Sequence, residues 1–98
     1  SLSSETIDYI HIDVAILGTK GIKDNDGFTT YENEYELKRH ILQQSEQIIV
    51  VSDENKFNAP AEYTYSKFKE VDVFISNALT KEEKSQIQVI PEIIEAEV

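Results

Sequence analysis

Apolar positions along this chain fall into short runs separated by polar stretches, and the runs alternate in kind. Val14 to Leu17 is continuous, follows Asp13 and ends at Gly18, which predicts a strand buried on both faces. Residues 18 to 33 read as a loop, with Asp26-Gly27 as a turn signal because glycine takes positive φ without steric cost. From Glu34 to Gln44 the spacing becomes helical: Tyr35, Leu37, Ile41 and Leu42 share one broad side, and Glu36, Arg39, His40 and Gln43 the other. Ile48 to Val51 predicts a second buried strand, followed by the polar loop Ser52 to Asn58. Tyr63 to Tyr65 alternates as an edge piece, and Val71, Val73, Phe74 and Ile75 make a third strand.

Thr80-Lys81-Glu82-Glu83 has the pattern of a capping box, predicting a short helix to about Gln86. Ile87 to Ile90 then reads as a last strand stopped by Pro91. The acidic tail, Glu92 to Val98, has no assigned element, and residues 1 to 12 read either as a helix from a Ser4 cap to Ile10 or as a strand through Ile7 and Tyr9. The helix is the preferred reading. Strand and helix alternate throughout, so the expected class is α/β: a mostly parallel sheet with flanking helices, binding its ligand beyond the carboxyl ends of the strands.

Composition narrows the functions. With 98 residues and 40 % hydrophobic content, one domain with one core is expected. A net charge of -10 sets the chain against nucleic-acid phosphates. The absence of cysteine excludes disulfides, thiolate metal sites and cysteine catalysis; it fits a reducing, cytoplasmic compartment. No apolar run approaches a membrane span, so no membrane role is expected. Methionine is absent even from position 1, which reads as a piece excised from a longer protein.

Candidate chemistry gathers at two strand ends. Gly18, Thr19 and Gly21 offer main-chain amides for an anion nest, and Lys20 adds one ammonium. The spacing is neither a P-loop nor a dinucleotide fingerprint, and a glycine-bearing turn with solvated lysines explains it equally well. Gly27, Thr29 and Thr30 lead toward a helix start, where anions are favoured. Glu34 and Lys38 stand one helical turn apart inside the apolar arc, an order suited to an ion pair at an unusual place for charge. Lys56 follows Asp53 at the second strand end and reads as a phosphate or sugar ligand, or as a surface lysine. His11 and His40 do not suggest a metal pair, no metal or cofactor is indicated, and no carboxylate pair stands out as an acid–base couple.

These motifs occur in a familiar order: Asp13 to Ile22 with its glycines, Gly27 to Thr30, Glu34 to Arg39, Ile49 to Phe57, and Val71 to Asn77. The series, from about Asp13 to Ile90, resembles the C-terminal sensor domain of the DeoR family of bacterial transcriptional regulators. The resemblance implies a Rossmann-like fold similar to ribose-5-phosphate isomerase-type domains, here a partial domain. It implies a phosphorylated sugar effector, with Gly18, Thr19, Lys20, Gly21, Gly27, Thr29, Thr30, Glu34, Lys38 and Lys56 facing the pocket. Operator DNA would be reached only through an N-terminal helix-turn-helix absent from this sequence, and members are often homo-oligomers. The chain departs from the family in lacking an Asp-x-Gly-Thr-Thr-like phosphate loop. It is also one residue shorter between Thr30 and Glu34, and Asn77 stands where aspartate is common. Leu17 and Lys20 stand where the similar isomerases carry acids, which argues against catalysis. The expected function is therefore effector sensing for a repressor of sugar metabolism. An isomerase-like enzyme with Glu34 as base and an oligomerisation piece with a vestigial pocket are the alternatives.

Overall fold

The computed structural model describes residues 4 to 97. A short helix α1 (Ser4–Ile7) leads into strand β1 (Ile12–Gly18). The hairpin β2 (Gly21–Lys23) and β3 (Gly27–Thr30) follows, then helix α2 (Glu32–Gln44) and strand β4 (Ser45–Val51). A 3₁₀ turn (Glu54–Asn58), strand β5 (Tyr63–Lys67), a second 3₁₀ turn (Phe68–Glu70), β6 (Val73–Ser76), α3 (Lys81–Gln86) and β7 (Glu92–Glu95) complete the chain. The expected helix near residue 4 is present but stops at Ile7; the Ser4 cap lies outside the described side chains.

Two sheets result. One is four-stranded and parallel throughout, in the order β1-β4-β6-β7. The other is antiparallel, in the order β2-β3-β5, with β5 at an edge as its alternation suggested. Each parallel crossover steps to the next strand in the same direction. Right-handed connections of that kind all fall on one face. That face carries the core: Ile48, Val50 and Phe74 from the parallel sheet meet Leu42 of α2, Ile22, Phe28 and Tyr65 of the small sheet, and Phe68 and Ile87. Phe28 stacks on Phe74 at 5.3 Å and meets Phe68 edge-on at 5.2 Å, so one ring pins the hairpin to both neighbours.

Three sequence expectations are corrected. Residues 18 to 33 are mostly β2, β3 and the start of α2, since Ile22 and Phe28 are core residues of a hairpin. β1 is not buried on both faces: Ala15 is buried while Val14 and Ile16 are exposed, because β1 is an edge strand whose outer face no described element covers. Ile87 to Ile90 is a turn, and its two isoleucines both drop into the core; the last strand lies in the tail, where Ile93 pairs with Phe74. The polar side of α2 holds as expected, and its residues are tied down. Arg39 donates to both oxygens of Glu70 at 3.0 Å and to the Tyr65 carbonyl at 2.9 Å, and His40 meets Asp8 at 2.6 Å. The capping box of α3 is formed: the Glu83 N–H donates to Thr80 Oγ1 at 3.1 Å and the Thr80 N–H to Glu83 Oε1 at 2.8 Å.

Candidate functional site

The carboxyl end of β1 meets the first turns of α2 and the middle of the small sheet, and there Lys38 is held. Its side chain is only 13 % exposed. The ammonium lies 3.2 Å from the Gly18 carbonyl, 3.3 Å from Thr30 Oγ1 and 3.3 Å from Glu34 Oε1, so each of its three protons has an acceptor. The ring of Tyr65 lies beneath it, 4.7 Å from the ammonium to the centroid, a cation–π contact. Tyr65 is fully buried, and its hydroxyl donates to the same Gly18 carbonyl at 2.8 Å. Thr30 Oγ1 completes the circuit toward Glu34 at 3.4 Å. Burial pushes the Lys38 ammonium below the usual lysine range; the Glu34 carboxylate opposes this and the charge of Lys20 adds to it. Burial pushes the Tyr65 phenol well above its ordinary value.

Local sequence explains the assembly. Glu34 and Lys38 are one turn apart on α2, with Glu first, the favoured order for a helix pair. Tyr65 reaches the site through a β-bulge: Phe28 pairs with Ser66 but Thr29 with Thr64, which leaves Tyr65 as the extra residue of β5. A bulge re-aims the side chain it carries.

The other expected site residues divide. Lys20 is exposed, its ammonium 5.7 Å over the Tyr31 ring. Thr19 is buried, its hydroxyl shared between the carbonyls of Gly21 at 2.7 Å and Thr29 at 3.0 Å. Thr29 is buried too and accepts from the Ala61 N–H at 2.8 Å. Gly21 and Gly27 serve close packing: an added Cβ would lie 2.1 Å from the Ala59 carbonyl oxygen and 2.0 Å from that of Ser66. No glycine has positive φ, that conformation falling to Asn25, and the Lys20 N–H donates to the Thr29 carbonyl. Gly18 to Gly21 thus crosses from the parallel sheet to the antiparallel one, with Gly18 in β1 and Gly21 in β2. Lys56 sits in the 3₁₀ turn after β4 and pairs with Asp53 at 3.7 Å, with no contact to the Lys38 cluster among the described residues.

Tyr65 and Tyr31 escaped the sequence reading. The alternation of Tyr63 and Tyr65 marked a strand but gave no sign of the bulge. A shallow depression at the carboxyl ends of β6 and β7, lined by Glu54, Asn77 and Glu95, was equally hidden. Asn77 Oδ1 accepts from the Glu54 N–H at 2.9 Å there. Glu95 is held below the usual carboxylate range by the Leu79 N–H and Lys84. At the amino ends of β1 and β4, His11 lies 3.1 Å from Asp13 and 3.5 Å from Glu46, all exposed. A ring N–H shared by two carboxylates accounts for that group. Among the described residues, no helix is long and apolar enough to cross a membrane.

The arrangement provides one fixed cation and fixed hydroxyls at a strand end, with Glu34, the base the sequence offered, already engaged by Lys38 and Thr30. That suits binding better than proton transfer. Comparison with known proteins agrees. Residues 1–78 match the DeoR C terminal sensor domain. Over 75 residues the chain is 29 % identical to the HTH-type transcriptional repressor GlcR of Bacillus subtilis (strain 168). That alignment takes in 76 % of this chain and 29 % of the repressor, so the chain spans less than a third of the relative it matches. The family is one of sensors in transcriptional regulators and not of enzymes. This chain belongs to the DeoR C-terminal sensor domain family.

Proposed function

We propose that the chain is the effector-sensing part of a repressor of sugar metabolism, and that it binds a phosphorylated sugar at the carboxyl end of β1. The observation that carries this reading is the pair of lysines there, Lys38 part-buried and Lys20 exposed beside it, in a chain of net charge -10. An acidic protein that desolvates one ammonium and holds a second close by has a use for an anion. All three protons of Lys38 are already placed. Phosphate therefore binds by exchange, taking Lys38 from Glu34 while Lys20 swings in from Tyr31. The freed Glu34 carboxylate becomes an acceptor for sugar hydroxyls. Thr30 and the Gly18 backbone line the same pocket; Thr19, Gly21, Gly27 and Thr29 shape its floor; Lys56 closes it from the second strand end.

The finer fold reading is of a Rossmann-like, ribose-5-phosphate isomerase-type domain, of which this chain supplies part. Operator binding belongs to a separate N-terminal domain. The effector alters operator affinity by binding two states of the protein unequally. Calorimetric titration of the intact regulator with a panel of sugar phosphates and the corresponding free sugars tests the proposal. Saturable binding of a phosphorylated sugar, weakened at least tenfold by Lys20→Gln, is the expected result. Silence across the whole panel overturns it.

A further inference from the structure

Three tyrosines border the Lys38 cluster: Tyr31 follows Thr30, Tyr35 follows Glu34, and Tyr63 pairs with Thr30 across the small sheet. Two of them brace each other, the rings of Tyr35 and Tyr63 lying 5.5 Å apart at a tilt of 45°. Tyr31 is different. It is the N-cap of α2, a position that favours Ser, Thr, Asp or Asn because their short side chains accept from the first free amides. The Tyr31 phenol makes no such bond. The side chain is also 53 % exposed and outside the core cluster. Its ring is met by the Lys20 ammonium, 5.7 Å from the centroid. That is close to the limit of about 6 Å for a cation–π contact, so in solvent the contact is weak and readily exchanged. The ring is also well placed. Thr30, the preceding residue, accepts from Lys38 at 3.3 Å, and Lys20 is near enough to Lys38 for their charges to act on each other.

We infer that Tyr31 determines which phosphates the site accepts: its ring, uncovered when Lys20 turns to phosphate, stacks on the C–H face of a ring-closed sugar. The inference rests on the phosphate site proposed above at the carboxyl end of β1. An aromatic face is negative at its centre, so it attracts cations and the weakly positive C–H groups and offers nothing to a phosphate. A pyranose presents several C–H bonds on one side, which leaves the hydroxyls along its rim for acceptors such as Glu34. An open-chain sugar phosphate has no fixed face and must freeze several rotatable bonds to lie flat against a ring. Lys20 cannot serve the phosphate and cover Tyr31 at once, so cation and sugar take the ring in turn. One side chain thereby separates cyclic from open-chain ligands of the same charge and nearly the same atoms.

Calorimetric titration of the intact regulator tests this with glucose, mannose and galactose phosphates, each phosphorylated at the carbon farthest from the aldehyde. The comparison ligands are the open-chain hexitol phosphates made from them by borohydride reduction. At least one cyclic phosphate should bind at least tenfold more tightly than its reduced counterpart. Tyr31→Ala should weaken the cyclic ligand at least tenfold and change the open-chain one by less than about twofold. Tyr31→Phe, which keeps the ring, should restore the preference. Tyr31 is exposed, so both variants should unfold at the wild-type midpoint, which separates lost stacking from a lost fold. Equal affinities for the two forms in wild type, or a preference that survives Tyr31→Ala, overturn the inference and leave the phosphate site standing. A loss common to both ligands assigns Tyr31 to holding Lys20 alone and overturns it too. Silence toward cyclic and open-chain phosphates alike overturns the site itself, and the inference with it.

Discussion

The ends of β1 and β4 look alike in sequence: an apolar run, a polar loop and a lysine shortly after. In the structure they are built on different principles. After β1, Lys38 comes from another element altogether and is enclosed by a carbonyl, a hydroxyl, a carboxylate and an aromatic ring. After β4, Lys56 belongs to the loop itself and pairs with Asp53 three residues away, both substantially solvated. The first arrangement needs α2, β1, β3 and β5 together, while the second needs one turn of chain. Burial separates them energetically. A lysine desolvated among fixed partners is expensive to leave unpaired, whereas an exposed local pair contributes little. The lesson is that a lysine near a strand end is informative only with the elements that converge on it.

Variants can break this contrast, and the largest effect should come from the contact that joins the two ends. Gly21 lies against Ala59 and Pro60, which follow the turn carrying Lys56. Gly21→Ala forces backbone against backbone and should cost about 3 kcal/mol in urea unfolding. Next, Lys38→Met leaves the part-buried Glu34 without its cation and should cost about 2 kcal/mol. It should also change the pH dependence. Because the folded-state pKa of Lys38 is lowered, the unfolded chain binds more protons between that value and 10.5, and stability rises with pH in that window. Lys38→Met should lose that rise, seen as a difference from wild type that grows up to pH 10.5 and then levels off. Tyr65→Phe removes one hydrogen bond to Gly18 and should cost about 1 kcal/mol in the same assay. Smallest of all, Lys56→Ala should stay within about 0.5 kcal/mol of wild type. Equal costs for Lys38→Met and Lys56→Ala would erase the distinction. For binding, Glu34→Gln should tighten the phosphorylated sugar, since phosphate then displaces a weaker partner from Lys38; a calorimetric titration of the intact regulator reads this directly.

Much of this was legible in the sequence where the signal is local. The core strands at Ile48 to Val51 and Val73 to Ile75, helix α2 and the Thr80–Glu83 box all follow from spacing within a dozen residues. The Glu34–Lys38 pair was visible as charge within an apolar arc, and the structure forms it at 3.3 Å. What escaped depends on partners far along the chain. Whether β1 is covered on one face or two is decided by the direction of crossovers that come after it. Thr19 is tied to the Thr29 carbonyl and Thr29 to the Ala61 N–H, partners ten and 32 residues on. The glycines signalled flexible turns, yet two of them serve close approach of neighbouring backbone, a requirement that one strand cannot reveal about another.

Tyr65 shows how finely such a site can depend on count. Its place at the cluster rests on one surplus residue in β5 relative to β3. Deleting a single residue between Tyr63 and Ser66 would make the ladder regular and the hairpin ordinary. It would also break the odd parity that sends a phenol, and not a serine, under the ammonium. The length of this strand is therefore as much a determinant of the Lys38 cluster as the identity of any side chain within it.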